Sequence, residues 1–117
     1  MSLDPDCIFC KIISKKIPAK IVYEDEFAAA FEDLNPQAPV HILVVPKKHI
    51  PEVHAMSAED REIVGHLFLA AKKIADQKGL HVKGYRMVIN NGAGAGQSVF
   101  HIHLHILSGR RFSWPPG

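Results

Sequence analysis

His101-Ile102-His103-Leu104-His105-Ile106-Leu107 alternates three imidazoles with aliphatic side chains. Side chains of a strand point to opposite faces with a period of two. The run therefore predicts a strand with His101, His103 and His105 on one face and Ile102, Leu104 and Ile106 on the other. A helix would scatter the same residues around its surface. The stretch thus specifies a half-buried strand that carries a row of imidazoles.

The rest of the chain frames that strand. Residues 8–16 predict a short helix or helical turn, ended by Pro18. Lys20 to Tyr23 and Phe27 to Phe31 predict two strands, and the polar Glu24-Asp25-Glu26 between them predicts a hairpin. Pro36 and Pro39 keep residues 35–39 a loop, and the β-branched run from His41 to Val45 predicts a central strand ending at Pro46. Ser57 to Lys78 predicts the one long helix. Ser57 and Asp60 have capping-box spacing, and Ile63, Val64, Leu67, Phe68, Ala71, Ile74 and Ala75 form a 3.6-residue stripe that Gly79 ends. Tyr85 to Asn90 predicts a further strand, and residues 92–97 a flexible glycine-rich loop. About five strands with one long helix inserted late predict an α+β fold on an antiparallel sheet.

Composition narrows the function. A length of 117 residues without repeats gives a single domain, 1–117. With 47% hydrophobic and 22% charged residues the chain reads as globular rather than disordered. A net charge of +2 without basic runs makes no case for nucleic acid or a membrane surface. With no spanning stretch and no signal peptide, the expected location is the cytoplasm, the nucleus being also compatible. Cys7 and Cys10 form a C-x-x-C, which in a reducing compartment favours metal or redox chemistry over a structural disulfide.

The imidazole row admits three roles. One is a metal site made by all three histidines, but residues four apart on a strand are separated by about 13 Å, too far to share an ion. Another is a polar face with no chemical task. The third is a nucleophile with helpers, since neutral imidazole attacks well near pH 7 and its neighbours can bind an anion. Gly92, Gly94 and Gly96 allow backbone N–H groups to cradle an anion, with the Ser98 hydroxyl beside them. A loose connection between strands explains the glycines alone equally well. Joined to the histidines, they point to phosphoryl or nucleotidyl transfer with histidine as nucleophile.

The segment Gly96-Gln97-Ser98-Val99-Phe100, followed by the alternating run, resembles the histidine triad motif of the HIT superfamily. Residues 17–20, 35–41, 46–50, 83–88 and the terminal Trp114-Pro115-Pro116-Gly117 are similar to the branch of histidine triad nucleotide-binding proteins. The resemblance implies a HIT-like fold, with two sheets joined in a homodimer, and a purine nucleoside phosphoramidase that releases the nucleoside monophosphate. It implies His103 as the nucleophile that forms a nucleotidyl-histidine, with His105 and Ser98 assisting phosphate binding and amine departure. His41 would support the triad from the adjacent strand. Gly96, Gln97 and Asn90 would line the phosphate and ribose region, and Asp33, with Leu34 beside it, would bind the ribose hydroxyls. Ile8, Phe9 and Phe31 would form the base slot, although core packing accounts for them equally well. Asp33 is also a natural turn initiator before Asn-Pro. Trp114 would reach the partner subunit's site. Rival implications are a nucleotide-binding interaction protein with little turnover, a dinucleoside polyphosphate hydrolase, and hydrolysis of adenylated DNA, which the charge balance disfavours.

The C-x-x-C departs from many animal members of that branch. It is similar to other superfamily members in which such a pair joins a histidine after Pro-Lys-Lys and the first triad histidine around zinc. The implied structural zinc ligands are Cys7, Cys10, His49 and His101, a donor set suited to tetrahedral zinc. Two unliganded cysteines are the plain alternative. A thioredoxin-like role lacks its βαβ context.

Overall fold

The computed structural model describes residues 3–117. Helix α1 (Ile8–Ile13) is followed by strands β1 (Ile21–Glu24), β2 (Ala28–Glu32) and β3 (Val40–Pro46), the long helix α2 (Arg61–Lys78), and strands β4 (Arg86–Val88) and β5 (Leu104–Ser108). The five strands form one antiparallel sheet in the order β1-β2-β3-β5-β4. The predicted α+β class holds. No helix among the described residues is long and apolar enough to cross a membrane.

Period-two alternation in the three inner strands builds two cores. Ala28, Ala30, Ile42, Val44, Leu104 and Ile106 face α2 and pack with its Leu67, Ala70, Ala71, Ile74 and Ala75. Ala29, Phe31, Leu43 and Val45 face the other way, toward Phe9, Cys10, Ile12 and Ile13 of α1. Helix α2 thus covers one face of the sheet and α1 part of the other, and the row of imidazoles is more buried than expected: His101 and His103 are buried and His105 half-buried.

Several boundaries differ from those predicted. The histidine strand begins at Leu104, leaving residues 101–103 as irregular chain. The reason lies in the neighbouring strand. The β3–β5 ladder ends at Val44 opposite Leu104, and β3 itself closes at Pro46, which has no N–H to donate. The Ile102 amide donates instead to the Ile50 carbonyl, 2.8 Å away. The strand predicted over Tyr85 to Asn90 is regular only over Arg86–Val88. The helix predicted from Ser57 starts with a 3-10 turn, Ala58–Asp60, closed by the expected capping box, and ends at Gly79 with φ 67°. Phe68 is exposed rather than buried, because it lies at the edge of the stripe centred on Ala71. The glycine loop contains a turn, Ala93–Ala95, and is pinned by Gln97 rather than loose.

Asp25 ties the β1–β2 hairpin to α2. Its Oδ1 accepts from the Phe27 and Ala28 amides at 2.8 and 2.9 Å, and its Oδ2 from Tyr23 Oη and His66 Nε2, both at 2.6 Å. Burial alone would raise this carboxyl, but the hydrogen bonds outweigh it and hold the group well below the usual carboxylate range. A depressed folded-state pKa adds stability above the unfolded value of about 3.9, and that stability disappears as pH falls through the folded value. Asp25→Asn is expected to lose about 2 kcal/mol at neutral pH and to flatten the fall in stability below pH ~4. Urea melts of both proteins between pH 3 and 7 measure this, and parallel curves would refute it.

Candidate active site and metal centre

The short α1 covers only part of its face of the sheet. The uncovered part forms a cavity of about 580 Å³, floored by Phe31, Leu43, His103 and His105 and walled by Phe9, Asp33 and Ser98 among others. His103 stands edge-on to Phe9, with ring centroids 5.1 Å apart. Its Nδ1 lies 2.8 Å from the His101 carbonyl oxygen. A carbonyl only accepts, so Nδ1 carries the proton and Nε2 keeps its lone pair. The nitrogen that keeps its lone pair is selected by a main-chain contact.

His105 has the complementary tautomer. The Gln37 amide donates to His41 Nδ1 at 3.0 Å, which leaves the His41 proton on Nε2. That Nε2–H donates to His105 Nδ1 at 2.9 Å, with Asp33 Oδ2 3.4 Å from the same nitrogen. His105 must then carry its own proton on Nε2. Burial, followed by the neighbouring His103 and His41, pushes His105 down to about 4, and burial likewise lowers His41 against the opposing pull of Asp33. At neutral pH His105 is thus an uncharged N–H donor whose ring centroid is 4.9 Å from that of His103. Register explains the meeting of His41 and His105: His41 pairs with Leu107, so His105 is its diagonal neighbour on the same face. Asp33, His41 and His105 also cluster tightly enough to suggest a metal site. The hydrogen bond from Gln37 argues against it, because His41 Nε2 holds a proton rather than a free lone pair.

The cavity brings together Ile8, Phe9, Phe31, Asp33, Leu34, Gly96, Ser98, His103 and His105 of the expected site residues. His41 stands behind His105. Asn90 lies against Gly96, whose φ of 100° suits glycine; a Cβ there would sit 3.8 Å from Asn90 Nδ2. Gln97 is buried and its amide is consumed within the loop, accepting from the Gly92 amide and donating to the Pro51 and Val99 carbonyls. Its side chain does not line the cavity. Trp114 is 82% exposed and does not line the cavity. Sequence reasoning missed Ile12, Ile17, Leu43 and Val99 on the walls, and the Gln37 amide and His101 carbonyl, which set tautomers. Main-chain groups carry no sequence signal.

On the far side of Phe9, Cys7, Cys10, His49 and His101 present ligand atoms that all lie within 4.8 Å of one another. His49 Nδ1 and His101 Nδ1 are 3.2 Å apart. Cys7 Sγ is 3.4 Å from His101 Nδ1, and Cys10 Sγ is 3.4 Å from His49 Nδ1 and 3.5 Å from His101 Nδ1. Tetrahedral zinc at ordinary bond lengths has N···N edges of about 3.3 Å and N···S edges of about 3.6 Å. The four residues fit the ion. The outer nitrogen of His101 agrees: its Nε2 donates to the Pro46 carbonyl at 2.9 Å, which turns its Nδ1 lone pair inward, and His49 Nε2 faces Asp4 Oδ2 at 3.7 Å. Burial pushes His101 down to about 4 and the Cys10 thiol up to about 11. A neutral imidazole is what a cation requires, and a cation would in turn stabilise the thiolate.

Comparison with known proteins agrees with this arrangement. A family model described as HIT domain matches residues 14–112. An uncharacterized HIT-like protein of Synechocystis sp. is 58% identical over 112 residues, covering 96% of this chain and 97% of its own. The crystal structure of a HIT family hydrolase from Legionella pneumophila superposes with a TM-score of 0.93 at 48% identity, covering 96% of this chain and 100% of its own. A histidine triad nucleotide-binding protein from Candida albicans gives a TM-score of 0.81 at 30% identity, covering 96% of this chain and 85% of its own.

Proposed function

The chain belongs to the HIT domain family, and from that premise we propose that it is a hydrolase of purine nucleoside 5′-phosphoramidates, acting through a nucleotidyl-histidine at His103. The observation that carries the reading is the pair of opposite tautomers in one cavity: His103 with a free Nε2 lone pair, and His105 with an Nε2 proton. In the first step His103 Nε2 bonds to phosphorus and the P–N bond breaks. Its electron pair goes to the amine nitrogen, which takes a proton relayed from solvent through the exposed Ser98 hydroxyl. His105 Nε2–H donates to a phosphate oxygen as charge builds there. In the second step water attacks phosphorus, its proton leaves by the same route, and His103 recovers its lone pair with release of the nucleoside monophosphate.

The binding roles follow the cavity. Phe9, Phe31 and Ile8 offer an apolar slot for a purine, and Asp33 a carboxylate for ribose hydroxyls. Gly96 and Asn90 adjoin the phosphate position, with Gln97 shaping the loop. Zinc held by Cys7, Cys10, His49 and His101 would fasten the N-terminal segment to the sheet and take no part in the displacement. A homodimer fits the open edge of β4 and the exposed apolar Phe68, Leu69 and Met87, and would bring Trp114 to the partner subunit's site.

The test is a steady-state comparison of adenosine and guanosine phosphoramidates with diadenosine polyphosphates, with acid-free quenching to trap the nucleotidyl-enzyme by mass. Phosphoramidates should turn over at least about tenfold faster, since the site has one nucleotide slot. The reverse order would make it a dinucleoside polyphosphate hydrolase, and tight binding of nucleotide without turnover an interaction module.

A further inference from the structure

A second groove, of about 410 Å³, adjoins the nucleotide cavity and is lined by Asp4, Asp6, Ile8, Pro51, Ser98 and Phe100 among others. Building on the phosphoramidase reading, we infer that this groove receives the departing amine and favours amines that carry an additional positive charge.

The shared wall fixes what enters the groove. Ile8, Ser98 and Val99 line both spaces, while His103, His105 and Asp33 line only the nucleotide cavity. A displacement at phosphorus holds the attacking and leaving atoms roughly in line. The amine therefore departs away from His103, and Ser98 stands where one space opens into the other. With base, ribose and phosphate placed in the cavity against Phe9, Asp33 and the two histidines, the substituent on nitrogen goes past Ser98, where the two spaces share their wall.

The groove's chemistry fixes the class of amine. Ile8, Pro51 and Phe100 offer apolar surface for a short methylene chain, and Ile8 and Phe100 are 47% and 46% exposed. The ionisable groups on the lining are Asp4, Asp6, Cys7 and His49, with no lysine or arginine. Cys7 and His49 point to the metal centre. Asp4 is engaged, its Oδ1 accepting from the Asp6 amide at 2.8 Å and its Oδ2 facing His49. The Asp6 carboxylate makes no ion pair or side-chain hydrogen bond among the described residues. A methylene chain ending in ammonium matches this wall, whereas a terminal carboxylate is repelled by it.

The experiment compares three adenosine 5′-phosphoramidates at pH 7: those of 1,3-diaminopropane, propylamine and β-alanine, which place a cation, a neutral end or an anion in the groove. The wild-type protein should show kcat/KM falling in that order, with about tenfold between the extremes, and the spread should narrow in 0.5 M NaCl. Asp6→Asn should compress the order and Asp6→Lys should reverse it. The amine has left before the second step, so hydrolysis of the nucleotidyl-enzyme should run at one rate for all three substrates within each variant. Equal kcat/KM for the three in wild type, or an unchanged order in Asp6→Lys, overturns the groove's role while leaving the phosphoramidase reading intact. Failure to cleave any of the three overturns both.

Discussion

His103→Asn should abolish release of amine from an adenosine 5′-phosphoramidate, with a loss of about 10⁴-fold or more, and no nucleotidyl-enzyme should accumulate. The size follows from the chemistry: without the imidazole no nucleotidyl-histidine can form at residue 103, and His105 has its proton in the wrong place to attack. Asparagine is the informative replacement because its amide can still donate to the His101 carbonyl that now holds His103 Nδ1. The variant should therefore melt close to wild type and still bind the nucleoside monophosphate, which separates lost chemistry from lost structure. Turnover near the wild-type level would reject the mechanism.

Replacing Cys7 and Cys10 together with serine should empty the metal centre and cost about 3 kcal/mol or more, a fall in Tm of roughly 10–20 °C. The two cysteines would supply half of the proposed ligand set, and their helix packs against the sheet face that carries the triad. Without an ion, His49 Nδ1 and His101 Nδ1, 3.2 Å apart, would have no shared cation between them. Metal content by elemental analysis and a thermal melt read this directly. Catalysis should decline as a secondary effect, because His101, a proposed ligand, is the same residue whose carbonyl selects the tautomer of His103. Full zinc content in the double variant would sink the four-ligand proposal, whatever its activity.

Much of the frame was legible because it is written in local patterns. The alternation of residues 101–107 did separate imidazoles from aliphatics, since Leu104 and Ile106 lie in the core against α2 while His103 and His105 line the cavity opposite. Helix α2 was announced by its stripe, its Ser57–Asp60 capping box and Gly79. The end of the histidine strand was not legible, because strand pairing depends on the partner, and Pro46 terminates the ladder from β3. The exposure of Phe68 depended on how far α2 is rolled against the sheet.

The site divides along the same line. Residue types and spacing were enough to nominate the nucleophile, its helpers and a set of metal ligands, because imidazole, hydroxyl and thiol each have few uses. What the three histidines do individually was decided only by the fold. The His101 carbonyl leaves the His103 Nε2 lone pair free, the Gln37 amide acting through His41 places the His105 proton on Nε2, and the Pro46 carbonyl turns His101 Nδ1 toward the cysteines. A neutral imidazole has one proton and two nitrogens, and which nitrogen holds it is chosen by the acceptor placed beside the ring. Two of those directing groups are backbone carbonyls and one is a backbone amide. The triad's side chains are in the sequence, but its tautomers are a property of the tertiary structure.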